Sequence, residues 1–117
     1  MGIRKIDQYK EIIGRKKLKE IKEEAKPLEG KYITHINSTY YGGGVAEILD
    51  SLVLLMNDLG IKAGWRLLKG SEPFFKITKF FHNGAQGARV KVDSEIKKVY
   101  EGICEKNSVF SHFEKSD

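Results

Sequence analysis

One cysteine, two prolines and one tryptophan in 117 residues set the first limits on this chain. A lone Cys104 excludes a disulfide-stapled fold, and its place on the apolar side of a helical segment makes it a small core residue rather than a nucleophile. With three histidines and that one cysteine, no pair sits at metal-ligand spacing, so neither a metal nor a cofactor is expected. No run approaches the ~18 apolar residues of a membrane span, so no membrane partner is expected. The segment from Met1 to Lys10 is charged throughout and lacks the apolar stretch of a signal peptide, which makes the cytoplasm the expected compartment.

What is present fits one small domain. Apolar residues make up 40% of the chain and charged ones 32%, enough for a core but below the usual α/β domain size. The net charge of +5 is concentrated at the start, where residues 1–31 hold ten Lys/Arg against six Asp/Glu. Arg15, Lys16, Lys17, Lys19 and Lys22 there interleave with Glu20, Glu23 and Glu24, the pattern of a solvated helix face with i,i+4 pairing. The aromatic residues that a single-strand binder needs between its cations are missing, so no nucleic-acid partner is expected.

Asp7 is placed to cap a short helix through Ile13. Gly14 breaks it, and a second helix runs from Arg15 to Ala25 before Pro27. This leader, residues 1–30, presents Ile6, Tyr9, Ile12, Leu18 and Ile21 for packing. Lys31 to Ser38 forms a β-branched first strand, in which His35 is a hydrogen-bonded structural residue. A helix follows, with Val45, Ile48, Leu49, Leu52, Leu55, Met56 and Leu59 as a broad apolar stripe, and Gly60 closes it. Ile61 to Leu68 is a second strand, making a right-handed βαβ unit with a parallel pair. Trp65 in it packs on the sheet or borders a ligand at the strand's end.

Pro73 suits the first turn of a third helix with Ser71 or Glu72 before it, and Phe74, Ile77, Phe80 and Phe81 supply its buried face. His82 and Asn83 end this helix, either facing a cleft or complementing the dipole. Arg89 to Val92 adds a short strand, and Ser94 caps a last helix through Glu105.

The most specific feature is I-N-S-T-Y-Y-G-G-G-V-A-E, from Ile36 to Glu47, where a strand stops at three glycines and a helix begins. Gly42, Gly43 and Gly44 allow positive φ and bring bare N–H groups to a helix N-terminus, an arrangement suited to a phosphate or a sugar hydroxyl. A dinucleotide fingerprint fits poorly. Glu47 stands where the third glycine belongs, and the second strand ends in Arg66, Leu67, Leu68 and Lys69 without the ribose-binding acid. No G-K-[ST] follows the glycines, which excludes a nucleoside triphosphate loop.

The stretches H-I-N-S-T-Y-Y-G-G-G-V-A-E-I-L, from His35 to Leu49, and T-K-F-F-H-N-G-A-Q-G, from Thr78 to Gly87, resemble the N-terminal domain of trehalose synthases of the glycosyltransferring type. These belong to glycosyltransferase family 4, and the resemblance runs from about Tyr9 to the C-terminus. It implies a three-layer Rossmann-like domain, incomplete here over residues 31–117, as the N-terminal half of a GT-B architecture. Such enzymes transfer glucosyl from a nucleotide-glucose to glucose with retention, giving trehalose. By resemblance, Gly42, Gly43 and Gly44 approach the donor phosphate or sugar, while Asn37, Ser38, Thr39, Tyr41, His82 and Asn83 are acceptor-binding candidates.

The catalytic residues are not identified. The family's next strand, with a His-Asp-Pro-Gln stretch whose histidine contacts the sugar, is expected after Ser116-Asp117, and a nucleotide-binding C-terminal domain after that. By the same resemblance that domain carries the basic pair that a leaving diphosphate needs, so no transferase activity is expected from these residues alone. The first strand is expected at a sheet edge, inviting self-association or pairing with the missing remainder. A non-catalytic sugar or phosphate binding module is the alternative reading.

Overall fold

The computed structural model describes residues 4–110, so the region around Ser116-Asp117 lies outside the described residues. It is an α/β arrangement of four helices and a two-stranded parallel sheet. The chain divides into two compact units, with the described residues 4–67 in one and 68–110 in the other.

In the first unit a 3-10 turn, Ile6–Tyr9, leads into helix α1, Lys10–Ala25. Asp7 does not cap this segment. Lys5 holds the cap position, its N–H donating to Gln8 Oε1 at 3.0 Å, while the Asp7 carboxylate is taken by Lys22 at 2.6 Å. Gly14 interrupts α1 with φ 80° and ψ 164°, a region open essentially to glycine alone. The expected helix break is therefore a kink within α1. Ile6 and Leu18 are buried as expected, but Ile12 is 79% exposed and Ile13 is the half-buried residue there. The interleaved charges of α1 pair along the helix, Lys17 with Glu20 at 3.1 Å and Lys19 with Glu23 at 3.9 Å.

Strand β1, Tyr32–Asn37, pairs in parallel with β2, Lys62–Leu67, in register from Tyr32 opposite Lys62 to Asn37 opposite Leu67. Helix α2, Gly44–Asp58, connects them and packs on both strands. The core of this unit includes Ala46, Leu49 and Ile61. Asn57 of α2 returns to the start of β2, accepting from Ala63 N–H at 3.2 Å and donating to its carbonyl at 2.8 Å. That covers part of the edge of β2 with a side chain in place of a third strand. His35 has the structural role expected of it, with Nε2 3.4 Å from Met56 Sδ.

The stripe expected on α2 is only partly used. Leu49 is buried and Leu55, Met56 and Leu59 are half-buried, whereas Val45 is 61% and Ile48 63% exposed and Leu52 is also exposed. A two-stranded sheet offers less area than the broad stripe on the helix needs. Asp58, at the end of α2, accepts from Ile6 N–H at 2.8 Å and from Lys5 Nζ at 3.0 Å, which ties the chain start to this helix.

The second unit is a helix pair, α3 at Glu72–Ala85 and α4 at Ser94–Phe110. Ser71 caps α3, its Oγ accepting from Phe74 N–H at 3.4 Å, with Pro73 in the first turn. Phe74 is 1% exposed and lies against Phe75 and, stacked at 5.8 Å, Tyr100 of α4. Phe81 meets the same tyrosine edge-on at 5.3 Å. The Tyr100 hydroxyl bonds to the Cys104 thiol, which holds it above the usual phenol range, and Cys104 itself is half-buried.

Two expectations fail here. Arg89 to Val92 forms no strand, because Val90 instead lies against α3, where a Cβ at Gly84 would stand 2.6 Å from it. Helix α4 is capped by Asp93, whose Oδ1 accepts from Ile96 N–H at 2.8 Å, not by Ser94, and it continues five residues past Glu105 to Phe110.

Candidate functional site

Strand β1 delivers the chain to the glycine turn through Asn37 and Thr39, whose side chains bond to backbone groups two residues on. Asn37 donates from Nδ2 to the Thr39 carbonyl at 2.7 Å and accepts on Oδ1 from Trp65 Nε1 of the neighbouring strand. Thr39 Oγ1 accepts from Tyr41 N–H at 3.0 Å and donates to the Tyr41 carbonyl at 2.6 Å. Tyr40 stands edge-on to Trp65, ring centroids 4.9 Å apart. Residues 37–41 are thus fixed from both sides before the glycines begin.

Gly42 and Gly43 have φ of 73° and 80°, and Gly43, with ψ 155°, is the N-cap of α2. No side chain caps this helix, and Gly44, Val45 and Ala46 are its first three residues. Their N–H groups are the ones that a helix start leaves without intrahelical partners. A Cβ placed at any of the three glycines would meet nothing within 4 Å. The glycines are therefore set by backbone conformation and not by crowding from the protein itself. The space they leave open is continuous with a concavity of about 380 Å3 lined by Tyr40, Tyr41, Gly42, Gly43, Ala46, Glu47 and Asp50.

The concavity has a definite electrostatic character. The start of α2 supplies a positive dipole end, while Glu47 and Asp50 supply two carboxylates, and no lysine or arginine lines it. Carboxylates accept from hydroxyl groups but repel a phosphate, so the wall carrying Glu47 and Asp50 suits a polyol and the helix start suits an anion or a developing negative charge. Among the described residues no group of three or more His, Cys, Asp or Glu is disposed to hold a metal. No helix there is long and apolar enough to cross a membrane.

The predicted site residues fall into three groups. Gly42, Gly43 and Tyr41 line the concavity, with Gly44 directly behind them at the helix start and the Tyr41 side chain 87% exposed. Asn37 and Thr39 are engaged in the bonds that shape the turn, and Ser38 beside them is exposed. His82 and Asn83 belong to α3 in the second unit, their side chains exposed and their carbonyls accepting from Gln86 N–H at the helix end. Sequence reasoning missed Tyr40, Glu47 and Asp50. The spacing of Glu47 and Asp50, three residues apart in the first turns of α2, was the available signal for a shared face.

The family described as the N-terminal domain of trehalose synthase matches residues 35–117. A trehalose synthase of Pyrococcus horikoshii is 46% identical over 110 residues, 93% of this chain and 26% of that protein. One of Thermococcus litoralis is 46% identical over 106 residues, 90% and 26%. One of Rubrobacter xylanophilus is 44% identical over 100 residues, 86% and 24%. The chain thus spans about a quarter of the length of the curated relatives it matches.

Proposed function

Because the chain belongs to the trehalose synthase N-terminal domain family, we propose that it is the acceptor-side part of a retaining glucosyltransferase that makes trehalose from a nucleotide-glucose and glucose. The observation that carries this reading is the uncapped start of α2 behind Gly42 and Gly43, opening on a concavity with two carboxylates, within the matched residues. In this reading the two-stranded sheet begins a three-layer Rossmann-like domain, the N-terminal half of a GT-B architecture. Residues 1–30 are its helical leader and 31–117 belong to that domain.

The chemistry divides between groups that are here and groups that are not. Transfer of a glucosyl group releases a diphosphate, and negative charge grows on the bridging oxygen as the bond breaks. The N–H groups of Gly44, Val45 and Ala46 stabilise charge at that position without reorganising. Glu47 and Asp50 accept from sugar hydroxyls, and Asn37, Ser38, Thr39 and Tyr41, with His82 and Asn83, are the remaining acceptor candidates. The concavity holds no cation to balance a departing diphosphate. That charge is met by groups from the rest of such an enzyme, so the chain alone is inactive.

Ile36 on the strand pair and Val45 and Ile48 on α2 each leave apolar surface exposed. In this reading the surface receives the remainder of the enzyme or, in its absence, a second copy.

Co-expression tests this reading. The chain is produced together with the C-terminal three quarters of one of the related trehalose synthases, and trehalose formed from nucleotide-glucose and 13C-glucose is followed by NMR. Product from the pair and none from either piece alone is expected. Trehalose binding by the chain with no product from an associated pair would instead favour the non-catalytic binding module.

A further inference from the structure

The bonds that fix the approach to the glycine turn come from outside the turn itself. Trp65 is a β2 residue, 28 positions from Asn37 in sequence, and its Nε1–H is donated to Asn37 Oδ1 across the parallel pair. That one bond orients the Asn37 amide, and the oriented amide donates to the Thr39 carbonyl at 2.7 Å. Thr39 in turn engages both backbone groups of Tyr41, directly before Gly42. The Trp65 ring also supports Tyr40 from the side at 4.9 Å, with the ring planes at 81°. Every residue from 37 to 41 except Ser38 is thereby tied, directly or through one or two partners, to a single side chain on the second strand.

From this geometry we infer that Trp65 is a positioning residue that presets the glycine turn for its ligand. Glycines at 42 and 43 have much backbone freedom to lose, and a turn left to find its own conformation pays that entropy on binding. The indole removes that cost in advance by fixing the residues that precede the glycines. Trp65 itself does not line the concavity, so its effect on a ligand passes through Asn37, Thr39 and Tyr40. The inference rests on the turn being the ligand site proposed above.

The test uses the whole 117-residue chain labelled with 15N. Trp65→Phe keeps a smaller aromatic ring beside Tyr40 and removes the N–H donor, and Tyr40→Leu removes the ring contact while keeping the donor. Order parameters of residues 38–44 are measured without ligand and stand near the rigid value of about 0.85 in the wild type. In Trp65→Phe they fall below about 0.6 while those of Leu49–Met56 in α2 stay unchanged. Unchanged order at 38–44, or an equal loss throughout α2, overturns the inference.

Titration with α-glucose 1-phosphate adds the functional readout, with affinity expected to fall about tenfold in Trp65→Phe, the effect of one lost hydrogen bond. If the wild type does not bind this probe, the ligand reading of the turn fails, whereas the order parameters still decide whether Trp65 holds it.

Discussion

The two units solve the same problem, burying apolar residues in a short chain, in opposite ways. In residues 68–110 one side chain, Phe74, is almost wholly enclosed, and Phe75, Phe81 and Tyr100 close a local aromatic cluster with contacts between α3 and α4. In residues 4–67 the strand pair and α2 bury Ala46, Leu49 and Ile61 but leave Ile36 52% exposed, along with Val45 and Ile48. The first unit also carries the open glycine turn and its concavity. The helix pair encloses a single side chain and leaves Val92, Val109 and Phe110 more than half exposed, whereas the parallel strand pair keeps edges and faces that call for further structure. Residues 4–67, with an open strand pair and the exposed face of α2, also carry the glycine turn for which a ligand is proposed.

That contrast is sharpened most by Phe74→Ala. Removing the most enclosed side chain costs about 3–5 kcal/mol, and in denaturant titrations followed residue by residue the loss should concentrate in 68–110. A cost below about 1 kcal/mol would mean that the aromatic cluster does not hold the helix pair.

Gly43→Ala comes next. With φ 80° and ψ 155° the position lies in a region essentially reserved for glycine, so a cost of about 1–3 kcal/mol is expected although no neighbour crowds the new methyl. Gly43→Asn should be no better, because asparagine is tolerated in the left-handed helical region and not in this one. Recovery with asparagine in thermal melts would contradict the geometry assigned to the turn.

A smaller effect is expected in acid. The Ile6 N–H and then Lys5 hold the Asp58 carboxyl below its usual value of 3.8. A carboxyl with a lowered folded pKa adds stability that is fully present above its unfolded value and lost as pH falls through the folded one. The Ile6 amide signal should therefore move in NMR titrations with a midpoint below pH 3.8, and Asp58→Asn should remove that transition. A transition near neutral pH would contradict the assignment.

The smallest stability change is expected for Ile48→Lys, within about 0.5 kcal/mol, because the side chain is already largely in water. Its consequence should lie in association, with sedimentation showing less self-association than the wild type. A large loss of stability would mean that this face is engaged within the chain.

Strands, helices and the glycine turn were legible because each rests on local signals. The β-branched run ending at Asn37, the glycines before Val45 and Ser71 ahead of Pro73 all appear where backbone preference puts them. The strand expected at Arg89 to Val92 failed because Val90 and Val92 carry strand preference without a strand to pair with, and Gly84 gives Val90 a place against α3. Asp7 was misjudged as a cap because Lys22, fifteen residues on, competes for its carboxylate. The apolar stripe of α2 was correct in period, but how much of it is buried depends on the size of the sheet, which no local pattern encodes. Of the site, the glycines were evident, whereas the Asn37–Trp65 bond joins two strands and was hidden from any reading along the chain.

The central claim, that the glycine turn receives the phosphoglucosyl group, is tested most directly by titrating the 15N-labelled chain with α-glucose 1-phosphate. Chemical-shift changes centred on Gly42 to Glu47 and abolished by Gly43→Ala are predicted. Saturating probe that leaves those amides unmoved, or that moves only the lysine-rich face of α1, would contradict the claim.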